Sequence, residues 1–159
     1  MARLPERVRR GHHAGERNVN KFVQLNNKEV TLSNYWVVGA TWGGIEDQSD
    51  KFIRRGYWFL GWSDADQPAQ AKRRDQMQPG DRIAIKRMCG QASKNIAIRA
   101  LGIIKEIDKD DHDNHRVYVD WFVRFSKEEE REVLSRGAYG SIHGPYTADD
   151  PWVKEVFHI

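Results

Sequence analysis

The chain has 159 residues, enough for one domain with its own core, and its single cysteine, Cys89, excludes an internal disulfide and favours a reducing, cytoplasmic location. The sequence contains no run of 18 apolar residues, so it predicts no membrane span. The basic start lacks the apolar segment of a secretory signal. The 26 basic and 23 acidic side chains give a net charge of only +3, which argues against a histone-like coating protein.

Positive charge is concentrated in two parts of the chain. Residues 1–21 carry six basic and two acidic side chains, residues 71–99 carry eight and two, and residues 100–159 carry eight and thirteen. A chain that gathers its positive charge in this way favours one surface that contacts a few phosphates of a polyanion. The alternative is that these runs are solvated faces without a partner.

The start of the chain predicts a leader followed by one domain. Residues 1–31 are polar, basic and rich in Asn, which predicts a flexible leader before a domain over residues 32–159. The first predicted strand is Tyr-Trp-Val-Val, ending at Gly39. A loop then leads to a short helix that Ser49 caps and that runs through Ile53, followed by an exit at Arg54-Arg55-Gly56.

The rest of the chain predicts further strands and two more helices. In chain order these are a short strand at 57–62, a polar helix from Asp64 or Asp66 to about Met77, a turn at 78–81, a strand at 82–88, strands 95–107 and 115–125 forming a hairpin, an ambiguous helix or edge strand at 127–134, a loop at 137–145, and a helix capped by Asp150. Five or six strands with short flanking helices predict an α+β fold built on a small, strongly bent β-barrel.

Four of the six tryptophans fall within 27 residues, at Trp36, Trp42, Trp58 and Trp62. A half-exposed indole offers a flat face on which a nucleobase can stack. The alternative is that these rings fill the core of a small β domain. Trp42 favours the first interpretation, because it lies in a loop-like Thr-Trp-Gly-Gly stretch.

Signatures of catalysis are absent from the sequence. It contains no glycine-rich phosphate loop and no serine nucleophile motif, and we expect neither a cofactor nor a bound metal. Three carboxylates, Glu46, Asp47 and Asp50, keep a metal-dependent nuclease open as an alternative. The expected protein is therefore not an enzyme.

The order of these motifs resembles the PUA superfamily, in its EVE and YTH branches, which read modified bases. The stretch YWVVGATWGG is similar to the start of EVE domains, and IRRGYW looks like the helix exit of YTH domains, whose closing Trp lines the methyl-base cage. PGDRIAIKRM and ALGIIKEI look like the central barrel strands. The ending GSIHGPY, followed by DDPWVKEVF, resembles the tails of EVE-like domains at the front of McrB-type, modification-dependent restriction proteins.

The resemblance implies a pocket in which a flipped base lies between aromatic rings. Carried over by position, the base-binding residues are Trp58 on one side, Trp42 or Trp62 opposite, and Thr41, Ser49 and Asp47 at the base edge, since Gly39-Ala40 replaces the family's Lys-Ser pair. Trp58→Ala is then expected to abolish modification preference while leaving the fold intact. A Trp58 sealed in the interior, with no slot beside it, would overturn the whole interpretation as a base reader.

Basic residues near these motifs are expected to grip phosphates. They are Arg54, Arg55, Lys72, Arg73, Arg74, Lys86, Arg87 and Lys94. The function expected is a non-catalytic reader of a modified base in DNA, 5-methylcytosine or 5-hydroxymethylcytosine, that serves a restriction or phage-defence effector. An alternative is a PUA-like module for modified or structured RNA, and a second alternative is the nuclease.

Overall fold

The structure is a computed structural model that describes residues 22–25, 28–109 and 115–159. The chain divides into two units, Met1–Leu32 and Ser33–Ile159. In the first unit, strands β1 (Phe22–Leu25) and β2 (Lys28–Thr31) pair antiparallel, a pairing that the sequence did not predict. Residues 1–21 of the predicted leader lie outside the described residues, so its flexibility stays a prediction.

The second unit contains nine strands and three short helices among its described residues. Its strands are β3 (Tyr35–Gly39), β4 (Thr41–Trp42), β5 (Glu46–Asp47), β6 (Tyr57–Trp58), β7 (Arg82–Met88), β8 (Asn95–Lys109), β9 (His115–Arg124), β10 (Arg131–Leu134) and β11 (Ile142–Tyr146). Its helices are α1 (Ser49–Arg55), α2 (Pro68–Arg74) and α3 (Pro151–Phe157). No helix in the described ranges has the length and apolarity needed to cross a membrane.

Seven of these strands form one mixed sheet. Its order is β11-β3-β7-β8-β9-β6, with β10 beside the first half of β8. Strands β3 and β7 run parallel, and the other neighbours are antiparallel. No pairing joins β11 to β6 in the described part of the chain. The α+β class is therefore confirmed, whereas the predicted closed barrel is wrong.

Helix α2 gives a physical reason why the sheet stays open at β11. The backbone N–H of Ile142 donates to Gln70 Oε1 at 3.0 Å, and its carbonyl accepts from Arg73 Nη1 at 3.2 Å. The outer edge of a strand must satisfy its backbone groups or offer them to another strand. Because side chains of α2 satisfy Ile142, this edge does not need a further strand.

The sheet is buried on both faces at β3 and β7. On β3, Trp36 and Val38 belong to one hydrophobic cluster, which also holds Phe52 of α1 and Trp58 of β6, whereas Val37 belongs to a second cluster beneath α3. Strands covered on both faces are expected to be continuously apolar, as Tyr-Trp-Val-Val is. The fold therefore needs most of its large apolar side chains on either side of one sheet.

A register shift in the centre of the sheet sets the position of two basic residues. Ile85 pairs with Ala100, but the next residue, Lys86, pairs with Ile98, so Arg99 is an extra residue on β8. Such a bulge bends the strand and redirects the side chains beside it. Arg99 and Lys86 are both buried next to this shift.

Most predicted elements are present, with three differences. The ambiguous segment 127–134 contains the edge strand β10, and the predicted loop at 137–145 contains most of β11, despite its glycines. The strand predicted at 57–62 is paired only at Tyr57–Trp58. Asp150 caps α3 as predicted, by accepting from the backbone N–H groups of Trp152 and Val153.

Candidate functional site

A cavity of about 640 Å³ opens beside the amino-terminal end of α1. Five segments contribute to it: the end of β3, the β4–β5 hairpin, the chain after β6, the end of β7, and the loop before β11. Its lining residues are Gly39, Thr41, Trp42, Gly43, Gly44, Ile45, Asp47, Leu60, Gly61, Trp62, Lys86, Arg87, Met88, Tyr139, Gly140 and Ser141. Its volume lies within the roughly 300–1,000 Å³ typical of small-molecule sites.

Three aromatic rings from separate segments line this cavity. Trp42 is half-buried and packs on Phe59 and Phe52, with ring centroids 5.2 Å and 6.1 Å apart. Trp62 and Tyr139 are 49% and 59% exposed. Exposed ring faces beside a cavity are suited to stacking on a flat ligand.

Trp42 holds its position through a close approach to Gly61. A Cβ placed on Gly61 would lie 2.4 Å from Trp42 Nε1 and 2.5 Å from its Cδ1, closer than nonbonded atoms allow. Only glycine therefore fits opposite this indole. Trp42 Nε1 has no hydrogen-bond partner among the described residues, whereas a buried indole N–H ordinarily has one.

The hairpin that carries Trp42 is closed by a tight turn. Gly43 and Gly44 both have left-handed φ values, +60° and +71°, and the N–H of Ile45 donates to the Trp42 carbonyl at 3.1 Å. Two successive left-handed residues are what a two-residue hairpin turn requires. Ile45, at the end of this turn, is 88% exposed at the edge of the cavity.

A buried arginine fixes the other end of the hairpin. Arg99, only 2% exposed, lies 3.7 Å from Asp47 Oδ2 and 3.4 Å from Glu130 Oε1, and it also contacts Asp50. Glu130 in turn accepts from Arg87 Nε at 3.0–3.1 Å, a bond that raises the pKa of Arg87. These ion pairs tie β5 and α1 to the segment before β10.

This network also bears on the alternative of a nuclease. Asp47 and Asp50, two of its three candidate carboxylates, contact the Arg99 guanidinium, and Glu46 is exposed. A cation already balances the charge that a metal ion would balance. In the part of the chain that the structure describes, no three His, Cys, Asp or Glu side chains gather so as to hold a metal ion.

Lys86 is enclosed in the cavity lining without an anionic partner. The side chain is 4% exposed, and its Nζ has Met88 Sδ at 3.8 Å as its polar neighbour. No carboxylate of the described residues lies within 4.0 Å of it. Because burial disfavours the charged form, the pKa of Lys86 falls to about 8.

His143 lies close to this lysine on β11. Its Nε2 is 3.1 Å from the carbonyl oxygen of Gly140, which lines the cavity. Burial and, to a smaller extent, the positive charge of Lys86 together lower the pKa of His143 to about 4. The ring is therefore neutral at pH 7.

The structure corrects the predicted position of Trp58. The side chain is 0% exposed, does not line the cavity, and donates its indole N–H to the Gly39 carbonyl at 2.9 Å. Pairing of Tyr57 with Tyr118 and of Trp58 with Val117 turns Trp58 into the core, because side chains alternate along a strand. Trp58 therefore cannot form one wall of the predicted cage, and it lies beneath the lining residue Gly39.

The other predicted base-binding residues divide into two groups. Trp42, Trp62, Thr41 and Asp47 all line the cavity. Ser49 does not: it is 1% exposed as the first residue of α1, and its N–H donates to Asp47 Oδ1 at 2.9 Å. Asp47, and not Ser49, therefore supplies the oxygen that satisfies the start of this helix.

The predicted phosphate-binding residues are also divided. Arg54, Arg55, Lys72 and Lys94 are exposed, and Lys86 and Arg87 line the cavity. Arg74 is a correction: it is buried, its Nη1 and Nη2 donate to the Asp64 carboxylate at 2.8 and 2.9 Å, and this pairing raises its pKa. Arg73 bonds to the Ile142 carbonyl. For the exposed residues the phosphate role stays a prediction.

Sequence reasoning missed Tyr139, Gly61 and Ile45. Tyr139 is an aromatic residue between glycines in Gly-Ala-Tyr-Gly, the same signal that singled out Trp42, and its hydroxyl accepts from Ser135 Oγ at 3.1 Å. Gly61 precedes Trp62 directly, but its contact with Trp42 depends on the fold. Ile45 follows two glycines, which marked a loop but not an exposed apolar tip.

Comparisons with known proteins add little to this geometry. No protein-family profile matches the chain, and no curated protein matches it. Among solved structures, the chain is similar to the YTH domain of Zygosaccharomyces rouxii MRB1 in complex with N6-methyladenosine RNA, with 15% sequence identity and a TM-score of 0.36. The match covers 65% of this chain and 63% of that one, less than two thirds of its length. A likeness at this level establishes neither a shared fold nor a shared function.

Proposed function

We propose that this chain is a non-catalytic nucleic-acid-binding module that takes one modified base into the cavity between Trp42, Trp62 and Tyr139. The observation that carries this proposal is the convergence of three partly exposed aromatic rings from separate segments on one cavity. The cage differs from the one expected from the sequence, because Tyr139 is included and Trp58 is not.

The energetics favour aromatic stacking as the source of affinity. Extruding a base from a duplex costs on the order of a few kcal/mol, and each stacked aromatic ring contributes about 1–3 kcal/mol. Two or three rings therefore offset the extrusion. One buried methyl group adds only about 0.8 kcal/mol, roughly fourfold, so selectivity for a modification requires polar contacts as well.

The finer part of the proposal is that the base is 5-methylcytosine or 5-hydroxymethylcytosine in DNA, read on behalf of a restriction or defence effector. The motif resemblance to EVE-like domains motivates this choice. The exposed basic residues Arg54, Arg55, Lys72 and Lys94 would supply contacts to phosphates that do not depend on sequence.

Fluorescence anisotropy with short labelled oligonucleotides tests the proposal. Wild-type protein should bind duplexes with 5-methylcytosine or 5-hydroxymethylcytosine more tightly than the unmodified duplex. Trp62→Ala should raise Kd for the modified duplex by about 5- to 150-fold, as loss of one stacked ring predicts. Phe122→Ala is the matched control, because Phe122 is 54% exposed but lies outside the cavity, and it should leave Kd unchanged.

Two outcomes would contradict the proposal. Equal affinity for modified and unmodified DNA at several salt concentrations would show that the protein does not recognise the base modification. Tighter binding to an RNA carrying N6-methyladenosine than to any DNA would replace DNA with RNA as the target.

A further inference from the structure

Lys86 differs from every other charged residue that the structure describes as buried. Arg74 is paired with Asp64 and Asp75, and Arg99 with three carboxylates. Asp81 accepts from Trp36 Nε1 at 2.9 Å and from two backbone N–H groups. Lys86, equally enclosed, has only the Met88 thioether as a hydrogen-bond partner among the described residues.

The ammonium group lies among residues that line the cavity. Its Nζ would be 3.8 Å from a Cβ on Gly39, and Met88 Sδ is equally close; both residues belong to the lining. Nearby His143 is no counterion, because its ring is neutral at pH 7 and would be positive if protonated, and the hydrogen bond of its ring is to the Gly140 carbonyl and not to Lys86. The donors of Lys86 are therefore placed at the cavity with no acceptor from the protein strong enough to satisfy them.

An unpaired buried ammonium group destabilises a folded protein, since desolvation is not offset by an anion. With its pKa at about 8, Lys86 is still mostly charged at pH 7. A methionine would fill similar space without this cost. The lysine therefore reduces the stability of the fold, and a ligand that accepts its hydrogen bonds would remove the penalty.

We propose that Lys86 is the specificity-determining donor of the cavity, which bonds to an acceptor atom on the edge of the heterocycle held between the aromatic rings. The inference rests on the proposed function and states what the held ring must present on its buried edge, namely a carbonyl oxygen or an unprotonated ring nitrogen. Cytosine and its 5-substituted forms carry both, at O2 and N3. A purely apolar or cationic ring is excluded from this class.

The test combines thermal unfolding with binding to three duplexes: one with 5-methylcytosine, one unmodified, and one with an abasic site. Lys86→Met should raise Tm by roughly 2–8 °C, because the variant removes an unpaired buried charge. The same variant should weaken binding to the 5-methylcytosine duplex by about 10- to 150-fold, as loss of a hydrogen bond from a charged donor predicts. Binding to the abasic duplex should change much less.

Two further variants sharpen the result. Lys86→Gln keeps a donor without the charge and should lie between wild type and Lys86→Met in affinity. Lys105→Met removes the same charge from an exposed position on β8 outside the cavity, and should leave both Tm and Kd unchanged.

The following outcomes would overturn either this inference or the proposed function. A lower Tm for Lys86→Met would assign the lysine a structural role and overturn the inference, as would an unchanged Kd for the 5-methylcytosine duplex. An equal loss on the abasic duplex would show that Lys86 contacts phosphate and not the base. A wild type that does not distinguish the modified from the unmodified duplex overturns the proposed function, and this inference with it.

Discussion

The six tryptophans divide into an interior set and a cavity set. Four are at most 5% exposed, and each donates its indole N–H within 3.2 Å: Trp36 to Asp81, Trp58 to the Gly39 carbonyl, Trp121 to that of Phe52, and Trp152 to that of Leu134. Trp42 and Trp62 line the cavity, and neither has an indole hydrogen bond to any described residue. The interior rings thus have indole hydrogen bonds within the protein, whereas the two partly exposed cavity rings have no indole hydrogen bond to the described residues.

Basic side chains show the same division. Arg74 and Arg99 are buried with carboxylate partners, whereas Lys86 is buried at the cavity without one. A polar group without a partner is costly in a protein interior. A buried ammonium group without a counterion therefore lies at the cavity, and a charged group perturbed in this way in a cleft is a candidate functional residue.

The largest expected effect is on the free energy of unfolding, and it distinguishes an interior tryptophan from a cavity tryptophan. Trp58→Ala should lower the free energy of unfolding by about 3–5 kcal/mol, because it leaves a hole in the core and an unpaired Gly39 carbonyl. Trp62→Ala should change it by less than about 0.5 kcal/mol, since half of that ring is already in water. Denaturant titration of both variants measures the difference; similar losses would break the comparison.

Gly61→Ala tests whether the position of Trp42 matters. The added methyl group would collide with the Trp42 indole, so we expect a loss of about 1–3 kcal/mol in stability together with weaker binding of the modified duplex. Gly39→Ala is the control, since the nearest atom would lie 3.8 Å from its Cβ and stability should hardly change. If Gly61→Ala behaves like Gly39→Ala, Trp42 is not fixed by this contact.

The smallest effect concerns the neutral state of His143. Its pKa in the folded protein, about 4, lies below the usual 6.5 of the unfolded chain, so the unfolded state binds more protons between these values. Its contribution to stability is full above pH 6.5 and is lost as the pH falls to 4. Allowing for partial solvent exposure, we expect a loss on the order of 1 kcal/mol.

Burial also lowers the pKa of His115, which acts in the same direction. The measurement is therefore the difference between wild type and His143→Gln in urea titrations at pH 7 and pH 4.5. The variant should lose less stability on acidification. Identical pH dependence would mean that His143 is not kept neutral by its surroundings.

Local patterns in the sequence were sufficient for much of the fold. Alternation predicted β7, two long apolar segments joined by a polar turn predicted the hairpin of β8 and β9, and Asp150-Pro151 predicted the start of α3. These signals all depend on residues close in the chain. Strand β11 was missed, since Gly140, Gly144 and Pro145 indicate a loop unless a neighbouring strand supplies the pairing. Barrel closure was wrong because α2 satisfies the β11 edge, a long-range contact.

The site was less predictable than the fold. Trp42 was identified because its glycine neighbours indicated a loop, whereas Trp62 was carried over by position from the resemblance to base-reading domains. The inward direction of Trp58 depends on its register with β9, and the enclosure of Lys86 depends on the shift between Ile85 and Lys86. Neither register can be derived from residues near in sequence. The charge of Lys86 therefore marked it as a candidate phosphate-binding residue, but its burial without a carboxylate partner could not be predicted.

The clasp of Gln70 and Arg73 on Ile142 has a consequence for how copies of this protein meet. If the backbone groups at the edge of β11 were free, a strand of another molecule could pair with them. It would then extend the sheet next to Gly140 and Ser141, which border the cavity. Because it covers this strand edge, the seven-residue helix α2 disfavours pairing with a second copy of the protein at a place where that copy would block the entrance to the cavity.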